Sequence, residues 1–246
     1  MTVGARAMVK TARAGVIAAG RGDRLRTGGQ TLKPLVRVGG RTLIERVLTS
    51  LGETAPAEVV VIINEDSTGI RDHVSACRWP FPVRWIVETT PSSMHSFLRV
   101  VDALAETGEP GPFLVSTVDT VAPPGAYARF AAEAATRDAA VTLALTSASD
   151  DEHPLLVRLE GSRVAAIGAA AAPAAYATAG YYAVRPSILR EADEARRDGV
   201  GALRIFLERL LARGYRLDGI PSPASIDVDR PPDVVAAEDL LRRVTP

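Results

Sequence analysis

Residues 14–35 read AGVIAAGRGDRLRTGGQTLKPL, and their types are those that handle phosphate. An apolar run enters a loop where Gly20 and Gly22 alternate with Arg21, Arg24 and Arg26, and the loop delivers Lys33 and a proline. Glycine lets backbone N–H groups approach phosphate oxygens without a Cβ in the way. Arginine supplies forked donors, whereas lysine supplies a compact charge that fits between two phosphates. Lys10 and Lys33 are the only lysines among 29 Lys+Arg, so the placement of Lys33 in this loop suggests a task for a point charge. The reading is a loop that wraps a triphosphate; a plain glycine-rich turn is the alternative. A dinucleotide fingerprint fails because Leu25 stands where a third glycine or alanine is needed and no helix begins before about Thr42. A Walker P-loop fails because no G-K-[ST] is present. Three acidic positions accompany the loop: Asp119 just past the apolar FLVSTV, and Asp227 and Asp229 in SIDVDRPP.

The elements that must position these residues alternate. Short β-branched runs at 15–18, 58–63, 83–88, 113–118 and 140–145 predict strands, and helical spacing falls between them at 42–51, 66–76, 93–106 and 125–136. Nearly all-apolar strands separated by helices predict an α/β fold, a three-layer α/β/α sandwich with a mostly parallel, Rossmann-like sheet covered on both faces. Loops after such strands lie at the carboxyl edge, where α/β proteins bind ligands. The order changes after residue 150. Residues 155–167 predict a hairpin turning at Glu160-Gly161, and 178–184 another strand, a small inserted β element. Helices at 186–197 and 201–213, a strand at 215–220 and a helix at 232–243 follow. The Ala-rich stretch 165–179 has no assignment. The expected organisation is a mobile tail over 1–13 and a single domain over 14–246.

The 246 residues are 47% hydrophobic and 24% charged, ordinary for a globular chain long enough to bury a sizeable core. A net charge of +0 gives no global field for nucleic acid or an anionic membrane. One cysteine, Cys77, excludes an internal disulfide framework and a Cys-based metal cluster, and reads as a small apolar residue. No stretch reaches membrane-spanning length and the first 13 residues lack a secretory h-region, so the expected location is cytoplasmic. His73, His95 and His153 show neither metal spacing nor a triad and read as surface or cap residues.

The combination VIAAGRGDRL…LKPLVRVGGRTLIERVL resembles the signature of the nucleotidyltransferases that activate sugar phosphates and related alcohol phosphates, the NDP-sugar pyrophosphorylase-like members of the MobA-like NTP transferase superfamily. Gly20, Gly22, Arg24, Lys33, Pro34, Leu35 and Gly40 match the motif; Leu32 stands where the family usually has proline. The resemblance implies condensation of an NTP with a sugar or alcohol phosphate, releasing pyrophosphate, with no nucleic acid or membrane partner. It implies catalytic roles for Arg24 and Lys33, and nucleotide contacts from Ala18, Ala19, Gly20, Arg21, Gly22 and Asp23. Thr89, Thr90, Ser92 and Ser93 join that set, although the two serines also suit helix caps. The family keeps an aspartate at Asp119 as a Mg²⁺ ligand and a second at the position of Asp229; Asp227, on the same side if the stretch is extended, is the further metal candidate, orienting the site or binding a second ion, and Arg230 replaces a usual threonine. Two carboxylates plus substrate phosphates suffice for Mg²⁺. ATAGYYAV resembles the strand lining the acceptor pocket, where Gly180 gives close backbone access. Sugar-activating relatives usually carry a second lysine after the inserted hairpin, and none stands there in this sequence, so either Arg158 or Arg185 substitutes on the acceptor or the acceptor is not a common hexose phosphate. Nucleotide transfer to a molybdopterin-type acceptor, a glycosyltransferase using DVD as its metal motif and a nucleotide sensor without turnover are the alternatives. The base, the acceptor and the oligomeric state are left open.

Overall fold

The computed structural model describes residues 13–20, 32–147 and 154–244. The chain runs β1 (Ala14–Ile17), a 3-10 turn at Lys33–Leu35, β2 (Arg37–Val38), β3 (Arg41–Thr42), α1 (Leu43–Gly52), β4 (Val59–Ile63), α2 (Thr68–Ser75), β5 (Val83–Val87) and α3 (Ser93–Ala105). It continues through β6 (Phe113–Thr117), β7 (Thr120–Val121), α4 (Ala126–Ala134), β8 (Val141–Ser147), β9 (Leu156–Glu160), β10 (Arg163–Ile167) and β11 (Tyr176–Val184). It closes with α5 (Ala192–Arg197), α6 (Leu203–Ala212), β12 (Leu217–Pro221), β13 (Ile226–Asp227) and α7 (Pro231–Val244).

The main sheet is nine-stranded in the order β5-β4-β1-β6-β11-β8-β12-β10-β9. Strands β5, β4, β1 and β6 are parallel, as are β8 and β12. The sheet is nonetheless mixed: β10 and β11 run against the other seven strands, so the mostly parallel expectation is met outside the inserted element. β11 lies antiparallel between β6 and β8, and β9 and β10 pair antiparallel beyond β12. The reason is where β11 begins: Tyr176 pairs with Ser147, the end of β8, so the chain re-enters on the rim it left and must run back. An apolar strand buried between two neighbours has the same composition in either direction. The hairpin forms with Gly161 at φ +61, and the Ala-rich stretch supplies the end of β10, a 3-10 turn and the start of β11.

Strand alternation divides the core. Val60, Ile62 and Val115 pack with Phe97 and Leu104 of α3 and Phe206 of α6. Val59, Val61 and Ile63 face the other way, onto Val47 and Leu51 of α1, Val74 of α2 and Phe130 of α4. Helix α3 sits so close to β1 that a Cβ on Gly15 would lie 2.2 Å from Val100 Cγ1. Helix α1 starts in a capping box: the Glu45 N–H donates to Thr42 Oγ1 (3.3 Å) and the Thr42 N–H to Glu45 Oε2 (2.7 Å). A third cluster, Val38, Leu43, Val121, Val228 and Ala237, ties α7 to the β2–β3 hairpin and β7. That cluster joins the segments carrying Lys33, Asp119 and Asp229. Among the described residues no helix is long and apolar enough to cross a membrane.

Candidate active site

Lys33 opens a tight turn in which the Leu35 N–H reaches the Leu32 carbonyl at 2.8 Å and the Val36 N–H reaches that of Lys33 at 3.1 Å. Pro34 fits because its fixed φ suits the first position of such a turn. The residue is buried, 8% exposed. Its Nζ donates to Asp119 Oδ2 at 2.6 Å and to Asp229 Oδ1, residues 86 and 196 positions away. Burial opposes the ammonium charge, yet the field of Asp119 and the hydrogen bonds to both carboxylates raise the Lys33 pKa above its usual value. Burial likewise pushes Asp119 up, and the charge and hydrogen bond of Lys33 overcome it, leaving the carboxyl below its usual range.

A short ladder brings the C-terminal acids here. β13 pairs antiparallel with β7, setting Asp227 opposite Thr120, and the Val228 N–H donates to the Asp119 carbonyl at 3.0 Å. Pro231 and Pro232 have no N–H, and the Asp233 carboxylate takes the last free ones before them, from Asp229 (2.9 Å) and Arg230 (2.7 Å). Asp229 is thereby held at the mouth of α7. Asp227 takes a different partner: Thr120 Oγ1 donates to its Oδ1 at 2.9 Å, and Thr117 Oγ1 lies 2.9 Å from Thr120 Oγ1. Surrounding protein atoms strip hydration from the Asp227 carboxyl, Asp119 repels it, and together they push it up to about 7, although the residue keeps one face in solvent. Gly180 forms the wall of this cluster. It sits at φ +76 in an irregularity of β11, and a Cβ there would lie 1.9 Å from Thr120 Oγ1 and 3.0 Å from Asp227 Oδ1.

The oxygen donors of Asp119 and Asp229 share one ammonium, so they converge on a single point, and hard oxygen donors suit Mg²⁺. Among the described residues no group of three or more His, Cys, Asp or Glu is arranged to hold a metal. The fit is therefore to an ion that completes its shell with substrate phosphates and water.

Ala18, Ala19 and Gly20 lie at the carboxyl edge of β1, on the same rim as Asp119; Arg21, Gly22, Asp23 and Arg24 lie outside the described residues. Thr89 and Thr90 follow β5 on that rim, where Thr89 Oγ1 accepts from the Glu65 N–H (3.2 Å) and Thr90 Oγ1 lies 2.5 Å from Ser96 Oγ. Ser92 caps α3 through the His95 N–H, and Ser93 Oγ accepts from the Leu203 N–H at 3.1 Å, so both serines have structural partners. Arg158 is exposed on β9, which joins the sheet at the rim end of β11. Arg185 is not brought to the site. Val184 pairs with Phe113, the start of β6, so Arg185 lies at the opposite edge and donates to the Arg137 carbonyl at 3.0 Å. The reason is again the reversed direction of β11, which carries its end away from the rim. His73 and His95 hydrogen-bond Thr42 and Ser92, and His153 lies outside the described residues. The sequence reading passed over Thr120, Asp233 and Asn64. The last directly follows an all-apolar strand and its amide reaches the Ala19 carbonyl, a placement that polar residues at strand ends can flag.

Comparison with known proteins gives the family and the fold. The model of the MobA-like NTP transferase domain matches residues 14–193. The bifunctional IPC transferase and DIPP synthase of Rubrobacter xylanophilus is 34% identical over 156 residues, covering 63% of this chain and 34% of that protein; the chain spans about a third of the length of this curated relative. The inositol-1-phosphate CTP transferase structure from T. maritima superposes with a TM-score of 0.76 at 19% identity, over 95% of this chain and 97% of that one. A putative glucose-1-phosphate thymidylyltransferase from Bacillus anthracis gives 0.79 at 18% identity, over the same 95% and 97%. These structures share the nucleotide-diphospho-sugar transferase type of fold.

Proposed function

This chain belongs to the MobA-like NTP transferase family, and from that premise we propose that it condenses an NTP with a phosphorylated sugar or polyol to give an NDP-linked product and pyrophosphate. The observation that carries the reading is Lys33 holding Asp119 and Asp229 together on the rim beside Gly20. In this scheme an oxygen of the acceptor phosphate attacks the α-phosphorus in line. A new P–O bond forms as the α–β phosphoanhydride bond breaks, and pyrophosphate leaves with the electron pair. Positioning and charge neutralisation carry such a transfer, so no covalent enzyme intermediate is required. Asp119 and Asp229 would hold a Mg²⁺ ion, whose positive charge would offset that of the reacting phosphates. Lys33 transfers its ammonium from the carboxylates to the nucleotide phosphates, and Arg24 neutralises charge on the same side. Asp227, kept in place by Thr120, orients the site. Residues 14–246 act as one unit, the two helical sides of the sheet forming the outer layers of an α/β/α arrangement, in the cytoplasm from which the NTP is drawn.

On the acceptor side, no lysine follows the inserted hairpin, where sugar-activating relatives usually carry one. CTP with inositol 1-phosphate, the pair named for the T. maritima structure, therefore heads the test. Four NTPs are assayed against sugar, polyol and amino-alcohol phosphates by pyrophosphate release. Turnover that requires both an NTP and a phosphorylated alcohol supports the reading. Tight nucleotide binding with no pyrophosphate from any pair rejects it in favour of a binding protein.

A further inference from the structure

Asn64 directly follows β4 and is 6% exposed. Its Nδ2 donates to the Ala19 carbonyl at 3.3 Å. That bond settles the orientation of the amide, because a flipped side chain would set two oxygens against each other. Oδ1 therefore points away from Ala19, and it is buried with no hydrogen-bond partner among the described residues. The backbone around Asn64 joins two loops. The Ala18 N–H donates to the Ile62 carbonyl and the Glu88 N–H to that of Ile63, each at 2.9 Å, while the Glu65 N–H reaches Thr89 Oγ1.

A buried acceptor without a partner is unfavourable, and leucine, similar in size, would remove it. Asparagine at this place is therefore poorly explained by stability. What the amide adds is its hold on the Ala19 carbonyl. In a trans peptide the C=O and the following N–H point in opposite directions. Drawing the Ala19 oxygen toward β4 aims the Gly20 N–H away from β4. The strand order β4-β1-β6 places Asp119, and Lys33 in contact with it, on that other side, and a Cβ built on Gly20 would meet none of the described atoms within 4 Å.

We infer that Asn64 is a positioning residue for the nucleotide: through the Ala19 carbonyl it aims the Gly20 N–H at the phosphates bound beside Lys33. This rests on the nucleotidyltransferase reading above. The test measures Asn64→Leu and Asn64→Asp by calorimetric titration with each of the four NTPs and Mg²⁺, by steady-state kinetics and by thermal melting. Asn64→Leu keeps or raises Tm, yet weakens NTP binding and raises the KM for NTP by at least about tenfold, with the KM for the acceptor unchanged. Asn64→Asp, which keeps the shape but loses the donor, shows the same selective loss and serves if the leucine variant does not fold. NTP binding by both variants within about twofold of wild type overturns the assignment alone. Wild-type protein that binds no NTP overturns the proposed function, and this inference with it.

Discussion

Two ion clusters in this molecule use similar groups for different ends. On α5 and α6, Arg209 contacts Glu191 at 2.6 Å, Asp198 at 2.5 Å and Glu194 at 3.3 Å, and Arg213 adds a contact to Glu194 at 2.8 Å. All of these residues lie within a short stretch of chain, and the planar guanidinium spreads its donors over fixed partners. At the rim, Lys33 joins Asp119 and Asp229 from distant parts of the sequence with one compact ammonium. The arginine cluster stitches neighbouring helices. The lysine cluster holds two carboxylates in register with a charge that another anion can draw off. Composition alone does not separate the two; the reach of the contacts and the shape of the cation do.

The contrast predicts a graded series, beginning with the carboxylates. Asp119→Asn and Asp229→Ala lower turnover by about 10³-fold or more, while Tm moves by a few degrees, because rim carboxylates contribute little to the core. Pyrophosphate release and calorimetry measure both quantities; a large fall in Tm with retained activity would make the acidic centre structural, like the α5–α6 cluster. Next, Lys33→Arg keeps the charge but replaces a round cation with a wide fork. Turnover falls by about 10²-fold, equivalent to about 2.7 kcal/mol of transition-state stabilisation. Near-normal kcat/KM in that variant removes the distinction between the two cations. Gly180→Ala drives a Cβ into Thr120 Oγ1 at a φ of +76 and disturbs Asp227 without touching either proposed metal ligand. Activity drops by roughly tenfold and is partly restored by raised Mg²⁺; unchanged activity would exclude the Thr120–Asp227 pair from the site. The smallest catalytic effect comes from Glu191→Ala. It leaves kcat/KM within about twofold and lowers Tm by about 5 °C, read by steady-state kinetics and thermal melting.

Part of the rim cluster was legible from local chemistry. Lys33 stood out against 27 arginines, and Asp119 followed an apolar strand whose carboxyl end had to lie on the ligand-binding rim. The resemblance favours Asp229 over Asp227 as the second metal ligand, and the ladder to β7 sends Asp227 to Thr120 and Asp229 to Lys33. Arg185 is expected, with Arg158, in place of the missing acceptor lysine, and strand direction, which apolar composition does not encode, puts it at the far edge. Asn64 carries in sequence only the flag of a polar residue after an apolar strand, because its partner Ala19 lies 45 positions away.

By itself the sequence determined what each short segment does: strands from apolar runs, α1 from its Thr42–Glu45 box, turns from glycine and proline. These outcomes depend on interactions within a few residues, which local chemistry controls. Only the tertiary structure decided that β11 runs back between β6 and β8, that β13 pairs with β7, and that Lys33 meets carboxylates 86 and 196 residues away. Those contacts exist because burying alternate faces of one sheet selects a single packing of distant segments, and no window of the chain contains both partners.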